Sequence, residues 1–436
     1  MAIRVATSTI YALSNRGMQT QQSAQARLQN QLTTGRRILT PSDDPIGASR
    51  ALSVSQAQSI NSQYSVNSKA VDSALGLTES TLQQVVELVQ NVQRLAVQAG
   101  NPALSNSDRQ SVNVELKSRY EELMGLANTT DGTGQYLFSG FAGSTKPFSE
   151  SSFGNVQYLG DEGQRLVQIS ASRNLPISDS GSAVFGSVKN GNGTFQTGAA
   201  AGNTGSGIVD IGTVANPLQW SAAGNVQDYK VSFSVDAAGA TTYDIVDATS
   251  NKSMIDGYDY AGGARAGAMP RAYNAGSEIE FKRLPTDPAG AAWDAGVSIS
   301  IKGVPASGDS FTVKPSQSQD MFSMLADFSG ILGAPQFDEN SKATYQTGLG
   351  RVIGNLSSAL DSVLTTQASI GARMKETESV RNTNEDLDLQ YSKTLSGLQD
   401  LDYTKALSDF AMTQTLLDAA RATFSKVQGM SLFKYL

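Results

Sequence analysis

The chain has 436 residues, a net charge of −7 and a pI of about 4.9, so it has room for two or three domains and is not suited to general nucleic-acid binding. It contains no cysteine and no histidine. This excludes disulfide frameworks, thiolate zinc sites, iron–sulfur clusters, cysteine nucleophiles and Ser-His-Asp catalysis. We expect no catalytic residue, no metal and no cofactor. No apolar run reaches the roughly 18 residues of a membrane span, and the start lacks the apolar core of a signal peptide.

The first 35 residues carry an apolar stripe with helical spacing. Small and polar residues interrupt the stripe, and Gly17 costs about 1 kcal/mol of helix propensity relative to alanine, so the helix needs a partner. A solvated amphipathic helix and a removable transit peptide, which is also rich in Arg and Ser, are the alternative interpretations. The stripe consists of Ile3, Ala6, Ile10, Leu13, Gly17, Thr20, Ala24, Leu28 and Leu32.

The segment from Leu32 to Pro45 should end this helix and start the next. Gly35 suits a helix C-cap, the prolines stop continuation, and Ser42 or Asp43 can cap the following helix. The adjacent acids Asp43 and Asp44 resemble a metal or acid–base pair, but capping a helix N-terminus is the preferred interpretation.

Helical spacing continues from about residue 45 to residue 99 and stops at Gly100-Asn101-Pro102. A capping box at Ser107 to Gln110 should open a third helix. We expect its inward side chains to be Val112, Leu116, Leu123 and Leu126. Short alternating segments at 136–138, 156–158 and 166–169 are typical of small strands.

The composition changes between residues 176 and 317, where Gly, Ala, Ser, Thr and Asp dominate. Apolar residues alternate from Tyr229 to Val235, and again from Val297 to Ile301, which predicts an antiparallel β module. Residues 188–207 are expected to form a flexible connection or long loop. The glycine-rich runs lack the lysine pattern of a phosphate-binding loop.

Helical spacing returns after Gln319 and continues to the C-terminus. From Ile353 to Leu401 the 3-4 alternation holds, with one repeated three-residue step at Thr377 to Val380. The last segment has an unbroken seam, with Leu407 and Leu416 lying off it. Residues 1–60 hold six Arg and two acids, whereas residues 385–436 hold seven acids and five bases, which favours pairing of the two ends. The seam consists of Ala406, Phe410, Thr413, Leu417, Ala420, Phe424, Val427 and Ser431.

The predicted fold is therefore mostly α. Helices from the N- and C-terminal ends pair into a coiled-coil or bundle core, and an antiparallel β domain is inserted between them.

Several motifs resemble those of bacterial flagellins. The segment from Leu32 to Gly47 is similar to the N-terminal flagellin signature, and Ile370-Gly-Ala-Arg373 and Leu401-Asp-Tyr-Thr-Lys-Ala406 are similar to its C-terminal counterparts. Gly134-Gln-Tyr-Leu-Phe-Ser-Gly140 and the tail Met430 to Leu436 look like the family members that sit at the hook–filament junction. The resemblance covers roughly residues 1–175 and 318–436.

The resemblance implies three domains: a terminal coiled coil D0 (1–44 and 391–436), a helical D1 (45–175 and 318–390) and an outer β domain D2 (176–317). It implies a structural role without enzymatic activity, with export through the flagellar type III channel. The implied partners are hook-associated protein 1, flagellin, copies of the chain itself and a cytoplasmic export chaperone. The implied interface residues are Ile10, Leu13, Leu28, Leu32, Leu398, Phe410, Leu417, Phe424 and Val427.

Two other functions stay open at this point. The chain could be a filament flagellin, or a flagellin-like scaffold that displays an adhesin or surface enzyme in its β insert. We also expect Phe410, Leu417 and Phe424 to become buried only on assembly or on the chaperone. Residues 188–312 should be dispensable for export and assembly.

Overall fold

The structure, a computed structural model, describes residues 7–263, 265, 267–334 and 336–429, with the side chains of residues 7, 8, 10 and 427–429 left out. Long helices occupy both ends of this described chain and strands occupy its middle, as the sequence predicts. Across the described residues, no helix combines the length and the apolar character needed to cross a membrane. The helices are α1 (Thr7–Thr34), α2 (Pro45–Ala99), α3 (Asn106–Ala127), α4 (Pro217–Trp220), α5 (Met321–Gly333), α6 (Glu339–Gln399) and α7 (Tyr403–Gly429).

The strands are short and fall between α3 and α5. They are β1 (Phe148–Ser152), β2 (Asn155–Tyr158), β3 (Leu166–Ser170), β4 (Arg173–Pro176), β5 (Val188–Lys189), β6 (Phe195–Ala199), β7 (Ile208–Val209), β8 (Thr213–Val214), β9 (Tyr229–Val235), β10 (Thr241–Asp247), β11 (Lys252–Ser253), β12 (Arg271–Ala272), β13 (Glu278–Lys282), β14 (Asp294–Lys302), β15 (Ser310–Pro315) and β16 (Ser318–Gln319).

The chain divides into two compact units. The terminal unit contains the residues up to Lys69, the segment 168–173 and the residues from Thr377 onward. The central unit contains Ala70–Val167 and Asn174–Glu376. The terminal unit therefore includes both chain ends, and the central unit includes all of the β module.

Helix α3 begins two residues earlier than its predicted capping box. Ser105 is the N-cap: its hydroxyl accepts a hydrogen bond from the Asp108 N–H at 3.2 Å, and the Asp108 carboxylate accepts one from the Ser105 N–H at 2.9 Å. The box at Ser107 to Gln110 is therefore wrong, because Asp fills the role that the sequence pattern reserves for Glu or Gln. The inward positions Val112, Leu116 and Leu123 are buried, whereas Leu126 is half-buried.

The predicted strand at 136–138 is also wrong. Tyr136 forms a single isolated bridge with Thr130, and Phe138 lies in a turn. Phe138 is fully buried, with its ring edge-on to Phe185 at a centroid distance of 5.1 Å. Its apolar side chain fills an aromatic core rather than one face of a sheet.

The β module has two main antiparallel sheets. One has the strand order β11-β10-β9-β15-β6, with β12 also paired to β10, and the other has the order β13-β14-β7, with β8 also paired to β14. The alternating residues predicted to face inward are buried, including Tyr229, Val231, Phe233, Ile299 and Ile301. The inner faces of both sheets thus supply one hydrophobic core.

The expected loop at 188–207 contains two strands. Residues Phe195–Ala199 form β6 and pair along β15, with Thr197 opposite Val313. Phe195 is fully buried in the core of the module. Glycine and asparagine dominate the segment, but this single aromatic side chain supplies enough buried apolar area to fix the strand.

The module connects to the helices of the central unit through two neighbouring strands. Strand β5 pairs antiparallel with β16, and Lys189 lies opposite Ser318. Next to this pair, the Gly191 N–H donates to Oδ1 of Asn355 on α6 at 2.7 Å. The chain therefore enters and leaves the module at adjacent positions.

A buried ion pair stabilises the interior of the module. The Arg271 guanidinium donates to both carboxylate oxygens of Asp287 at 2.9 and 2.6 Å, and its remaining N–H groups donate to the carbonyls of Glu280 and Lys282. The two side chains are only 5% and 1% exposed. Burial and the Arg271 charge act in opposite directions on the pKa of Asp287, and the balance lowers it.

We predict that Arg271→Met destabilises the module by about 3–5 kcal/mol, because it leaves an unpaired carboxylate buried. The double variant Arg271→Met/Asp287→Leu should recover most of this loss. Lys282→Met, which removes a half-exposed pair with Glu280, should change stability by about 0–1 kcal/mol. Both tryptophans of the chain, Trp220 and Trp293, lie in the module, so their fluorescence during urea unfolding reports its stability. Equal losses for the Arg271 and Lys282 variants would contradict the prediction.

Candidate assembly interface

Helix α7 packs along α1 through one continuous side. From Tyr403 to Lys426 every residue outside that side is exposed. Leu417 and Ala406 are buried to 2% and 3% exposure. The 3-4 seam predicted for this segment is confirmed over these residues. The covered residues are Ala406, Phe410, Thr413, Leu417, Ala420 and Phe424.

The seam on α1 differs from the predicted stripe in its first half. Leu13 is 60% exposed, and Gly17 and Thr20 are also exposed. The prediction followed the most apolar residues, but the covered positions include several polar ones. The covered positions keep the 3-4 alternation over Tyr11, Ser14, Met18, Gln21, Gln25, Leu28 and Leu32.

Contacts at both ends of the pair show that α1 and α7 run antiparallel. Near the start of α1, the rings of Tyr11 and Phe424 meet edge-on at 6.0 Å. Near its end, the Leu401 N–H donates to the Gly35 carbonyl at 3.0 Å. An antiparallel pair brings the first and last helices of the chain into one structure, as the coiled-coil hypothesis requires.

Hydrogen bonds join the segment after α1 to the C-terminal end of α6, which directly precedes α7. The Arg37 N–H donates to the Gln399 carbonyl at 2.7 Å, and the Arg37 guanidinium donates to the Leu398 carbonyl at 2.8 Å. Gln31 donates from its side chain to the Arg37 carbonyl at 2.6 Å. The two bonds from Arg37 satisfy carbonyls at the C-terminus of α6, and the bond from Gln31 holds Arg37 in place.

The signature residues around Asp43 fold the loop between α1 and α2. Oδ2 of Asp43 accepts hydrogen bonds from the N–H groups of Thr40 at 2.9 Å and Leu39 at 3.1 Å. The Thr40 N–H contributes most to lowering the pKa of this carboxyl below its usual value. Asp44 rather than Ser42 or Asp43 caps α2, since its Oδ1 accepts from the Gly47 N–H at 2.8 Å. The capping interpretation of the acidic pair is therefore confirmed for Asp44, one residue later than predicted.

Glycine is favoured at two positions beside this loop, Gly35 at its start and Gly47 in the first turn of α2, because a larger residue would require neighbouring side chains to shift. Gly35 has a φ of +70°, and an added Cβ would lie 2.9 Å from the Tyr403 hydroxyl. A Cβ on Gly47 would lie 2.4 Å from the Asp44 carboxylate and 2.9 Å from Ile38. The glycines of the signature therefore allow the loop to pass close to the starts of α2 and α7.

The structure places the nine predicted interface residues in three environments. Leu417 is buried within the chain, so the expectation that only another protein buries it is wrong. Leu13 is exposed. The side chains of Ile10 and Val427 lie outside the described residues. The remaining five, Leu28, Leu32, Leu398, Phe410 and Phe424, are half-buried.

Other apolar side chains on α7 remain exposed beside the seam. Leu407, Met412 and Leu416 are 56%, 64% and 45% exposed. Leu416 directly precedes Leu417, so it points about 100° away from the seam around the helix. Periodicity alone assigned the interface to the seam, yet these off-seam residues are the ones still available to a partner.

A chain whose two ends pair antiparallel around an inserted β module has the architecture of a flagellar filament-type subunit. The model for the bacterial flagellin N-terminal helical region matches residues 5–142, and the model for the C-terminal helical region matches residues 353–436.

Similarity to individual proteins extends beyond these regions. Flagellar hook-associated protein 3 of Escherichia coli K12 is 27% identical over 99% of both chains. The crystal structure of hook-associated protein 3 from Legionella pneumophila has a TM-score of 0.68 at 28% identity, covering 79% of this chain and 98% of that one. FlgL of Xanthomonas campestris is 30% identical with a TM-score of 0.62, covering 78% and 99%. The chain belongs to the bacterial flagellin family, in the group of flagellar hook-associated protein 3.

We predict that Leu417→Asp separates α1 from α7, since it places a carboxylate where the side chain is 2% exposed, at a cost of several kcal/mol. Amides of both helices should then exchange faster in hydrogen-exchange mass spectrometry of the purified chain. Leu416→Asp is the matched control, because the Leu416 side chain is 45% exposed. This variant should leave the hydrogen-exchange protection of both helices unchanged. Unchanged exchange in Leu417→Asp, or equal losses in both variants, would disprove the seam.

Proposed function

We propose that the chain is the subunit that joins the flagellar hook to the filament, a structural role without catalysis. The observation that carries this proposal is the antiparallel pair of α1 and α7, flanked by exposed apolar residues, in a chain related over its full length to hook-associated protein 3. In this proposal the terminal unit contacts hook-associated protein 1, flagellin and further copies of the chain.

We further propose a division into three domains that goes with this role. We assign residues 1–44 and 391–436 to D0, residues 45–175 and 318–390 to D1, and residues 176–317 to D2. D0 and D1 contain the helices that assemble, and D2 contains the β module. The nine predicted residues remain candidates for D0 contacts, joined by Leu407, Met412 and Leu416.

We also propose export through the flagellar type III channel and protection of the chain by a chaperone before assembly. A chain that leaves the cell through the flagellar type III channel passes through it unfolded, and its exposed apolar residues would promote aggregation beforehand. A cytoplasmic chaperone that covers α7 would prevent this. The polar residues in the α1 seam, among them Gln21 and Gln25, keep the pairing of the two ends modest, which eases opening.

The proposed role is tested by deleting the gene for this chain in its own bacterium. Hooks should remain without filaments, and flagellin should appear as monomer in the medium, because the filament subunits lack the protein on which they assemble. Restoring the gene should restore filaments. Loss of flagellin from both filament and medium would instead identify the chain as the filament subunit, and normal filaments would favour a display function.

A further prediction concerns replacement of the β module. Because Lys189 pairs with Ser318, replacing residues 190–317 with Asn-Gly should join β5 and β16 as a two-residue hairpin. We expect this variant to be exported and to support filaments and motility. Replacing 188–312, as the sequence suggested, removes the buried Val188 and leaves the end of β15 unpaired, so this variant should be exported equally well but support fewer filaments. Secretion of the Asn-Gly variant without filament growth would show that the β module itself is required for assembly.

A further inference from the structure

A polar cleft lies at the base of the β module, within the central unit. It is lined by residues beside the β5–β16 pair and by residues of β6, α5 and α6. All eight of the described residues that line it are polar, and its volume is about 420 Å³. This volume is in the usual range for small-molecule sites, and the polar lining suits a ligand that is polar on every side.

Two asparagines of the cleft are oriented by backbone groups. The Gln317 N–H donates to Oδ1 of Asn190 at 2.9 Å, and the Gly191 N–H donates to Oδ1 of Asn355 at 2.7 Å. Asn355 is only 3% exposed. Because both side-chain oxygens are occupied, each amide presents its Nδ2 group as a donor. Neither Nδ2 group has an acceptor among the residues that the structure describes.

A positive charge without a partner lies beside these amides. Arg351 precedes Asn355 by one helical turn, so the two side chains lie on the same side of α6. Arg351 is half-buried, and it makes no hydrogen bond or ion pair within the described part of the chain. A guanidinium in this state can bind a carboxylate or a phosphate through two parallel hydrogen bonds.

Two lysines add to the positive charge around the cleft. Lys314 lies directly opposite Gln196, which lines the cleft. Lys189 lies directly opposite Ser318, which also lines it. Side chains of directly opposite residues share one face of an antiparallel pair, so both lysines project on the side of the cleft. Both lysines are exposed.

Acidic groups near the cleft do not cancel this charge. Asp327 is the single acid among the described lining residues, and its Oδ2 accepts from the Gln319 side chain at 2.9 Å. Asp320 caps α5, and its two oxygens accept from the N–H and the hydroxyl of Ser323 at 2.7 and 2.5 Å. Three cations therefore outweigh one acid, and the cleft favours a negatively charged ligand.

We infer that the cleft binds an acidic sugar, that is, a small hydroxylated molecule with a carboxylate or phosphate group. Arg351 holds the anionic group, and the Nδ2 group of Asn355 donates to the same end of the ligand. The side chains of Gln196, Gln317 and Ser318 make no hydrogen bond among the described residues. They supply the donors and acceptors that sugar hydroxyls require.

The composition of the lining sets the specificity of this site. The described lining contains no aromatic or aliphatic residue, so an apolar acid gains little by entering the cleft. A simple anion satisfies the guanidinium but leaves the amides without partners. The inference goes beyond the proposed junction role and does not depend on it.

Calorimetric titration of the purified full chain with glucuronate and with glucose 6-phosphate tests this inference. We expect at least one of them to bind. Glucose, acetate and inorganic phosphate should bind about tenfold more weakly or less, because each lacks either the anionic group or the hydroxyls. Arg351→Gln should weaken binding of the acidic sugar by about tenfold or more, since it removes charge-assisted hydrogen bonds. Arg94→Gln is the matched control and should leave binding unchanged, because Arg94 is exposed on α2 in the same unit but outside the cleft.

Each outcome of the titration decides the inference. Binding of glucuronate alone assigns a carboxylate ligand, and binding of glucose 6-phosphate alone assigns a phosphate ligand. Binding of neither overturns the inference, as does equal binding of glucose. Equal binding of acetate or inorganic phosphate shows an adventitious ion only and overturns it too. Unchanged affinity in Arg351→Gln has the same meaning.

A second variant covers the case in which Arg351→Gln lowers the melting temperature of the chain. Lys314 is exposed, so Lys314→Gln should fold normally. Removing this charge should weaken binding of the acidic sugar roughly two- to fivefold, as expected for an exposed ion pair. An unchanged affinity in Lys314→Gln would then overturn the inference.

Discussion

Pairing between the first and last helices is the interaction on which the terminal unit depends. The seam of α1 contains polar residues, and the residues beside the α7 seam are exposed. Neither helix therefore has a wholly apolar face that could pack on another part of the chain. Each helix covers the other, and the backbone link from Gly35 to Leu401 fixes their register.

Much of the helical architecture could be predicted from the sequence. The α7 seam was correct at all six described positions from Ala406 to Phe424, because an unbroken 3-4 spacing of apolar and small residues allows only one face to be covered. The alternation at Tyr229 to Val235 likewise identified a strand with one buried face. In both segments, local pattern and burial agree.

The errors occurred where a single contact decided the local structure. Tyr11 meets Phe424, and the positions that continue its 3-4 spacing, Ser14 and Met18, are covered, whereas the more apolar Leu13 is exposed. Phe195 turns a glycine-rich segment into a strand by filling the core of the β module. Partner surfaces were the hardest to predict, since periodicity marks the face that the chain covers itself, whereas Leu407, Met412 and Leu416 are left outside it.

The adjacency of β5 and β16 affects more than the β module itself. Because β5 and β16 are paired, the segment inserted between them only needs to begin and end at neighbouring positions. Any folded domain with closely spaced ends can be grafted there without straining the helices. The joint at Lys189 and Ser318 is therefore a site at which a foreign folded domain can replace the β module.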